Sequence, residues 1–238
     1  HPTYKAFHEQ TYSQNFSRVE VRERVIPTYM GLIKQVDDHL GRLFEMLKSK
    51  NLMDSTLIVF TADHGDYLGD HWLGEKDLFH EPSVKIPLIV YDPETSAEST
   101  RGSVNHEFVE SVDIVPTMVE FAGGNICKQR MEGQSLLDFT RGTVDQENKR
   151  EYTVSQIDYS DRGPRVSLNL HPYDCRAHMI RSRDWKYILH EKFRPQLFDL
   201  KNDPDEFYDL GEDPEYSAVR LEMHEQFFIW FRKRLIRT

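Results

Sequence analysis

The chain has 238 residues, 38% of them hydrophobic and 29% charged, and its 30 basic against 40 acidic side chains give a net charge of −10. That length accommodates one large domain, or a domain with a small appendage, and the composition is globular rather than disordered or fibrous. The acidic balance argues against a general grip on nucleic acid or on an anionic membrane surface, and no run of about 18 apolar residues is present to span a bilayer.

The chain opens on "HPTYKAF", with neither a starting Met nor a signal-peptide pattern, which predicts a portion of a longer protein. Residues from about 18 to 50 then read as one long helix. Ile26, Met30, Ile33, Val36, Leu40, Leu43, Phe44 and Leu47 fall at three-and-four spacing and predict a single buried stripe, with Pro27 in or near the first turn of the main body. "KSKNLMDS" breaks the pattern and leads into the strand "TLIVF". After a loop, "KIPLIVYDP" predicts a second strand closed by Asp92-Pro93. "PETSAESTRGS" is a polar surface loop, and "FVESVDIVPTMVEFAGG" predicts a helix stopped by Gly123-Gly124. The order helix, strand, loop, strand, helix suits an α/β layer on a largely parallel sheet over residues 1–150.

From about residue 140 the composition changes, and "TRGTVDQENKRE" reads as a linker. Residues 151–238 predict a small α+β subdomain. "RAHMIRS" and "WKYILH" form a hairpin around Arg183-Asp184, and "QLFDL" and the turn-rich "KNDPDEFYDLGEDPE" follow. A last amphipathic helix carries Val219, Met223, Phe227, Trp230 and Phe231; its basic end, "FRKRLIRT", complements the helix dipole. Its aromatics are expected to pack on the small sheet, and the same helix is the face through which a homo-oligomer or a non-catalytic assembly module would form. Cys127 and Cys175 stand far apart, in no C-x-x-C motif. They favour free thiols and a reducing compartment, the cytoplasm, with the periplasm as the alternative.

The stretch "TLIVFTADHGDYLGDH" concentrates the chemistry. Loops at the carboxyl ends of strands can present side chains without breaking a sheet. Asp63 and His64 sit at such an end, a carboxylate beside an imidazole, which suits a pair of metal ligands, and Gly65 lets the backbone turn sharply away. Asp66, Asp70, His71 and His80 are candidates for supporting or purely structural roles. An imidazole in the pair tilts the choice toward manganese or zinc, while calcium suits the carboxylate donors.

From "YMGLIKQVDDHLGRLFEMLKSKNLMDSTLIVFTADHG" through "GEKDLFHEPSVKIPLIVYDP" to "RDWKYILH" and "RPQLFDLKNDPDEFYDLGEDPEY", nearly the whole chain resembles the downstream half of the sulfatase family in the alkaline phosphatase superfamily. Its DHG form looks most like the phosphonate monoester hydrolases and related aryl- and choline-type sulfatases. The resemblance implies the C-terminal part of an alkaline phosphatase-like α/β/α sandwich, followed by an antiparallel sheet and a C-terminal helix. It implies a hydrolase of small-molecule sulfate or phosphonate esters that uses one divalent cation (Mn, Ca or Zn) and a formylglycine made within a C-x-P-x-R motif. By position, Asp63 and His64 would be metal ligands, and Lys76, thirteen residues after Asp63, would contact a sulfate or phosphoryl oxygen. His1, in "HPTY", would contact the substrate ester as an acid. No C-x-P-x-R occurs in the chain, since Cys127 precedes "KQRM" and Cys175 precedes "RAHM". The formylglycine is therefore expected in an N-terminal part outside this sequence, and the chain alone is expected to be inactive. A two-zinc phosphodiesterase or phosphatase of the same superfamily is the alternative; it would need a Ser or Thr nucleophile and a further His ligand.

Overall fold

The computed structural model describes residues 1–145 and 149–235. Residues 146–148 of the expected linker and 236–238 of the basic tail lie outside the described residues. In chain order the helices are α1 (Pro2–His8), α2 (Thr11–Phe16), α3 (Val19–Ser49), α4 (Glu81–Val84), α5 (Ile114–Phe121), α6 (Leu137–Arg141), α7 (Gly163–Ser167) and α8 (Ser217–Leu235). The strands are β1 (Ile58–Thr61), β2 (Leu88–Tyr91), β3 (Thr153–Asp158), β4 (Arg176–Arg181), β5 (Trp185–His190) and β6 (Gln196–Asp199). Among the described residues, no helix is long and apolar enough to cross a membrane.

The residues sort into two compact units. One comprises His1–Val25, His64–Ile86 and Glu151–Thr238; the other comprises Ile26–Asp63 and Pro87–Arg150. The expected division into 1–150 and 151–238 thus keeps only its cut at Arg150/Glu151. Two earlier segments join the C-terminal part because their apolar side chains are buried there: Phe7 from α1 and Tyr67, Leu73 and Leu78 from the loop after β1 pack with Tyr159 and Cys175.

That first unit is built on a four-stranded antiparallel sheet in the order β3-β4-β5-β6. Arg181 pairs with Lys186 and Ala177 with His190, so "RAHMIRS" and "WKYILH" form the predicted hairpin, and "QLFD" adds the edge strand. β3, a strand not expected from its residues, pairs along β4 from Thr153↔Arg181 to Asp158↔Arg176. One face of the sheet buries Ala177, Met179, Ile188 and Phe198 around Phe79. The other buries Ile180, Tyr187 and Leu197 against Met223 and Phe227 of α8, with Val219 and Trp230 packed at the edge. Most of the expected aromatic stripe of α8 therefore covers the sheet, while Phe231 stays 41% exposed. Cys175 is buried and Cys127 half-buried, and both are free thiols.

In the second unit, β1 and β2 pair antiparallel, from Ile58↔Tyr91 to Thr61↔Leu88. This corrects the expectation of a parallel pairing. The chain between these strands, whose one α-helix is the four-residue α4, makes no βαβ crossover, and β2 runs back along β1. α3 has the predicted span, but two details differ. Pro27 lies inside it, eight residues beyond its start at Val19, because the helix begins earlier than its apolar stripe. The stripe is not buried either: Met30, Ile33, Val36 and Leu43 are 40–53% exposed, and only Leu47 is buried. From Ile26 on, α3 belongs to a unit that holds only a two-stranded sheet and short helices, which leave most of the stripe uncovered. α5 ends as expected at Gly123, whose φ of +75° favours glycine.

Two buried carboxylates organise the second unit. Asp113 accepts from the Glu110 and Gln134 N–H groups at 2.8 and 2.7 Å and pairs through both oxygens with Arg150. Asp92 accepts from Arg141 Nε at 2.9 Å and Thr140 Oγ1 at 3.0 Å. Burial pushes the Asp92 carboxyl up, but the Glu94 N–H, Arg141 and Thr140 outweigh it and hold the group low.

Candidate active site

β1 delivers the chain to Asp63, an exposed residue two positions beyond the strand, and the division between the units falls on the bond from Asp63 to His64. From His64 onward the loop belongs to the first unit, anchored by Tyr67, Leu73, Leu78 and Phe79, each at most 4% exposed. Its backbone is unusual. Leu68, His71, Trp72, Glu75, Asp77 and Leu78 all take φ between +49° and +81°, a region that disfavours residues with a Cβ. Such conformations persist only where the surroundings over-determine them, and they collect at functional sites. Lys76 lies between two of these residues, so its direction is set by a constrained loop.

The reason for Gly65 is close approach rather than a turn. A Cβ there would stand 1.9 Å from the Pro82 carbonyl oxygen, and the Gly65 N–H donates to Ser83 O at 2.8 Å. Gly65 is not among the glycines with positive φ, so what requires glycine here is the close approach to α4 and not a left-handed backbone.

His64 and Lys76 come together. His64 Nδ1 lies 2.7 Å from Gly65 O, and its Nε2 lies 3.0 Å from Lys76 Nζ. A carbonyl only accepts and an ammonium only donates, so the proton sits on Nδ1 and the Nε2 lone pair faces a cation. A histidine that ligates a metal has this arrangement, one nitrogen tied to a carbonyl and the other presenting its lone pair. His64 is therefore suited to the role, with the ammonium of Lys76 where positive charge is favoured. Among the described residues, no group of three or more His, Cys, Asp or Glu gathers in a way that could hold a metal ion. Asp63 and His64 together would supply two donors.

Around this pair, Asp66 Oδ1 accepts from the Leu68 N–H at 2.9 Å, and burial raises its carboxyl. Burial also raises Asp77, opposed by Arg162 at 3.6 Å. His71 and His80 stack face to face at 3.7 Å, 4° from parallel. Burial lowers both imidazoles, His80 far below its ordinary range, and His80 Nδ1 lies 3.2 Å from the Tyr67 hydroxyl. The stack is a packing element of the loop.

His1 is ordered by its own capping of α1. Its Nδ1 accepts from the Thr3 N–H at 3.3 Å, so Nε2 carries the proton and donates to Arg194 O at 3.1 Å. The ring stacks on His190 at 4.1 Å and lines a groove of about 550 Å³ with Pro2, Lys5, Ala6, Leu168 and Arg194. Both ring nitrogens thus have backbone partners here.

Sequence reasoning missed Lys186. It is fully buried on β5, its Nζ 2.7 Å from Phe79 O, 2.9 Å from Glu81 Oε1 and 2.6 Å from Glu206 Oε1. A lysine inside the apolar run "WKYILH" was the available signal, because a lysine is almost never fully buried unless paired.

The family model "Sulfatase" matches residues 1–124, and the model for the C-terminal region of N-sulphoglucosamine sulphohydrolase matches residues 69–233. The chain belongs to the sulfatase family. It is similar to the multifunctional alkaline phosphatase superfamily protein PehA of Trinickia caryophylli, 35% identical over 213 residues, which covers 89% of this chain and 41% of that protein. The phosphonate monoester hydrolase of Agrobacterium radiobacter superposes with a TM-score of 0.80 at 30% identity, covering 87% of this sulfatase chain and 41% of the other. That of Silicibacter pomeroyi superposes with a TM-score of 0.86 at 25% identity, covering 100% and 48%. The chain therefore spans less than half the length of these relatives. Its fold is mixed α and β of the alkaline phosphatase-like type, with antiparallel sheets and a C-terminal helix, as the resemblance implied.

Proposed function

We propose that this sulfatase-family chain supplies the Asp-His-Gly and lysine portion of an active site that hydrolyses small-molecule sulfate or phosphonate monoesters. The observation that carries the reading is the approach of Lys76 Nζ to His64 Nε2 at 3.0 Å, beside a glycine seated against α4. Asp63 and His64 are two ligands of one divalent cation. When bound, such a cation would polarise the ester oxygens and favour charge on the attacking oxygen.

The chain's own residues do the rest of the work assigned to them. Gly65 O holds the His64 proton on Nδ1 and so turns the Nε2 lone pair toward Lys76, whose ammonium contact a bound cation would replace. Lys76 places a fixed positive charge where an ester oxygen gains negative charge, and a preorganised charge of this kind needs no reorganisation during reaction. His1 carries its proton on Nε2, the atom from which a leaving alcohol would be protonated once the Arg194 carbonyl is released. The nucleophile comes from sequence outside these 238 residues, since no C-x-P-x-R occurs here, and the chain by itself does not turn over substrate.

The test is an assay of the full-length protein, with metal restored, on nitrophenyl sulfate and a phenyl phosphonate monoester. Hydrolysis of either that disappears in His64→Ala supports the reading, and no turnover of both ends it.

A further inference from the structure

The fully buried Lys186 belongs to a sheet whose residues the proposed chemistry does not use, yet all three of its near contacts lead toward the site loop. Its Nζ donates to the carbonyl of Phe79, three residues after Lys76, at 2.7 Å. It also meets Glu81 Oε1 at 2.9 Å and Glu206 Oε1 at 2.6 Å. One carbonyl and two carboxylates therefore surround the ammonium. Glu206 Oε2 accepts from the Glu81 N–H at 2.7 Å, and Arg181 Nε reaches Glu81 at 3.0 Å, so two carboxylates face two cations in one buried cluster.

The electrostatics make the cluster a single unit. Burial raises the Glu206 carboxyl, opposed by Lys186. Burial pushes Glu81 the same way, but Lys186 and Arg181 together hold it low. Glu81 begins α4, whose Ser83 carbonyl accepts from the Gly65 N–H at 2.8 Å. Gly65 in turn orients His64, and His64 meets Lys76. A continuous series of short contacts therefore runs from the middle of the C-terminal sheet to both side chains of the site, entirely within one compact unit.

We propose that Lys186, with Glu81 and Glu206, is a positioning residue: it clamps α4 and the loop after Lys76 onto β5 and thereby holds His64 and Lys76 in register. This rests on the reading of His64 and Lys76 as site residues, but its test uses no turnover, so a failure here is distinct from a failure of the hydrolase reading.

The clamp is tested on the full-length protein by amide hydrogen exchange and by the nitrogen NMR signals of the His64 ring. Two variants are compared, Glu206→Gln, which keeps the acceptor for the Glu81 N–H, and the apolar Lys186→Met. The expected result for Glu206→Gln is a local loosening. Protection of the Gly65 amide falls about tenfold or more, His64 loses its single Nδ1–H form, and the β4 and β5 amides of Met179 and Ile188 keep their protection. Lys186→Met gives the same pattern more strongly where it folds. Unchanged Gly65 protection and an unchanged His64 ring in Glu206→Gln overturn the proposal. So does an equal loss across Gly65, Met179 and Ile188 in that variant, because the cluster would then support the whole unit and not the site.

Discussion

Substitution of Gly65 by alanine tests the seating of the site loop most directly. The added Cβ would stand 1.9 Å from Pro82 O, 2.9 Å from the Pro82 carbonyl carbon and 3.3 Å from Ser83 Cα. A non-bonded carbon and oxygen rest about 3.3 Å apart, so the two backbones must separate by about 1.4 Å. Both partners are backbone, and no flexible side chain can give way. Overpacking of this kind costs about 1–3 kcal/mol. The same movement breaks the 2.8 Å bond from the Gly65 N–H to Ser83 O, worth about 1 kcal/mol net. The expected loss is about 2–4 kcal/mol, less than the stability of a typical domain. Urea unfolding of this chain, followed by circular dichroism and tryptophan fluorescence, measures it. In the same variant the His64 ring should lose its bond to Gly65 O and with it the single Nδ1–H form. A loss below about 0.5 kcal/mol, the range of ordinary surface changes, would show that the loop and α4 do not approach this closely.

Acid should weaken the first unit through His190, whose imidazole burial lowers from 6.5 to about 4. Between those values the unfolded chain binds the proton and the folded one does not, so stability rises with pH across the window and is lost as pH falls through it. The full effect is roughly 3 kcal/mol, and His190→Phe should flatten the stability–pH curve between pH 4 and 6.5 by about that amount; an unaltered slope would contradict the assignment. In the second unit, Asp113→Asn removes the buried carboxylate that meets Arg150 through both oxygens, leaving Glu110 at 3.3 Å, and should cost about 3 kcal/mol, read by thermal unfolding. Lys76→Met should change the stability of this chain by less than about 1 kcal/mol, since the lysine is half-exposed. On the proposed hydrolase reading, the same change in the full-length protein should lower kcat on the order of a hundredfold or more; an unchanged kcat would remove Lys76 from the chemistry.

The sequence by itself determined which elements form and which chemical groups they carry. Apolar spacing placed α3, β1, β2 and the β4–β5 hairpin, because backbone hydrogen bonding and side-chain period act over a few residues and leave a local trace. The motifs around Asp63, His64 and Lys76 carried the resemblance to the sulfatase family for the same reason: a run of specific residues survives in one dimension. Only the tertiary structure decided how those pieces meet. The antiparallel pairing of β1 with β2, the exposure of Met30 and Ile33, and the close contact that requires Gly65 all depend on residues distant in the chain. Lys186 is the clearest case. Next to Trp185 and Tyr187 it is one polar residue in an apolar strand, and its role exists only because folding brings Phe79, Glu81 and Glu206 within 3 Å of one nitrogen.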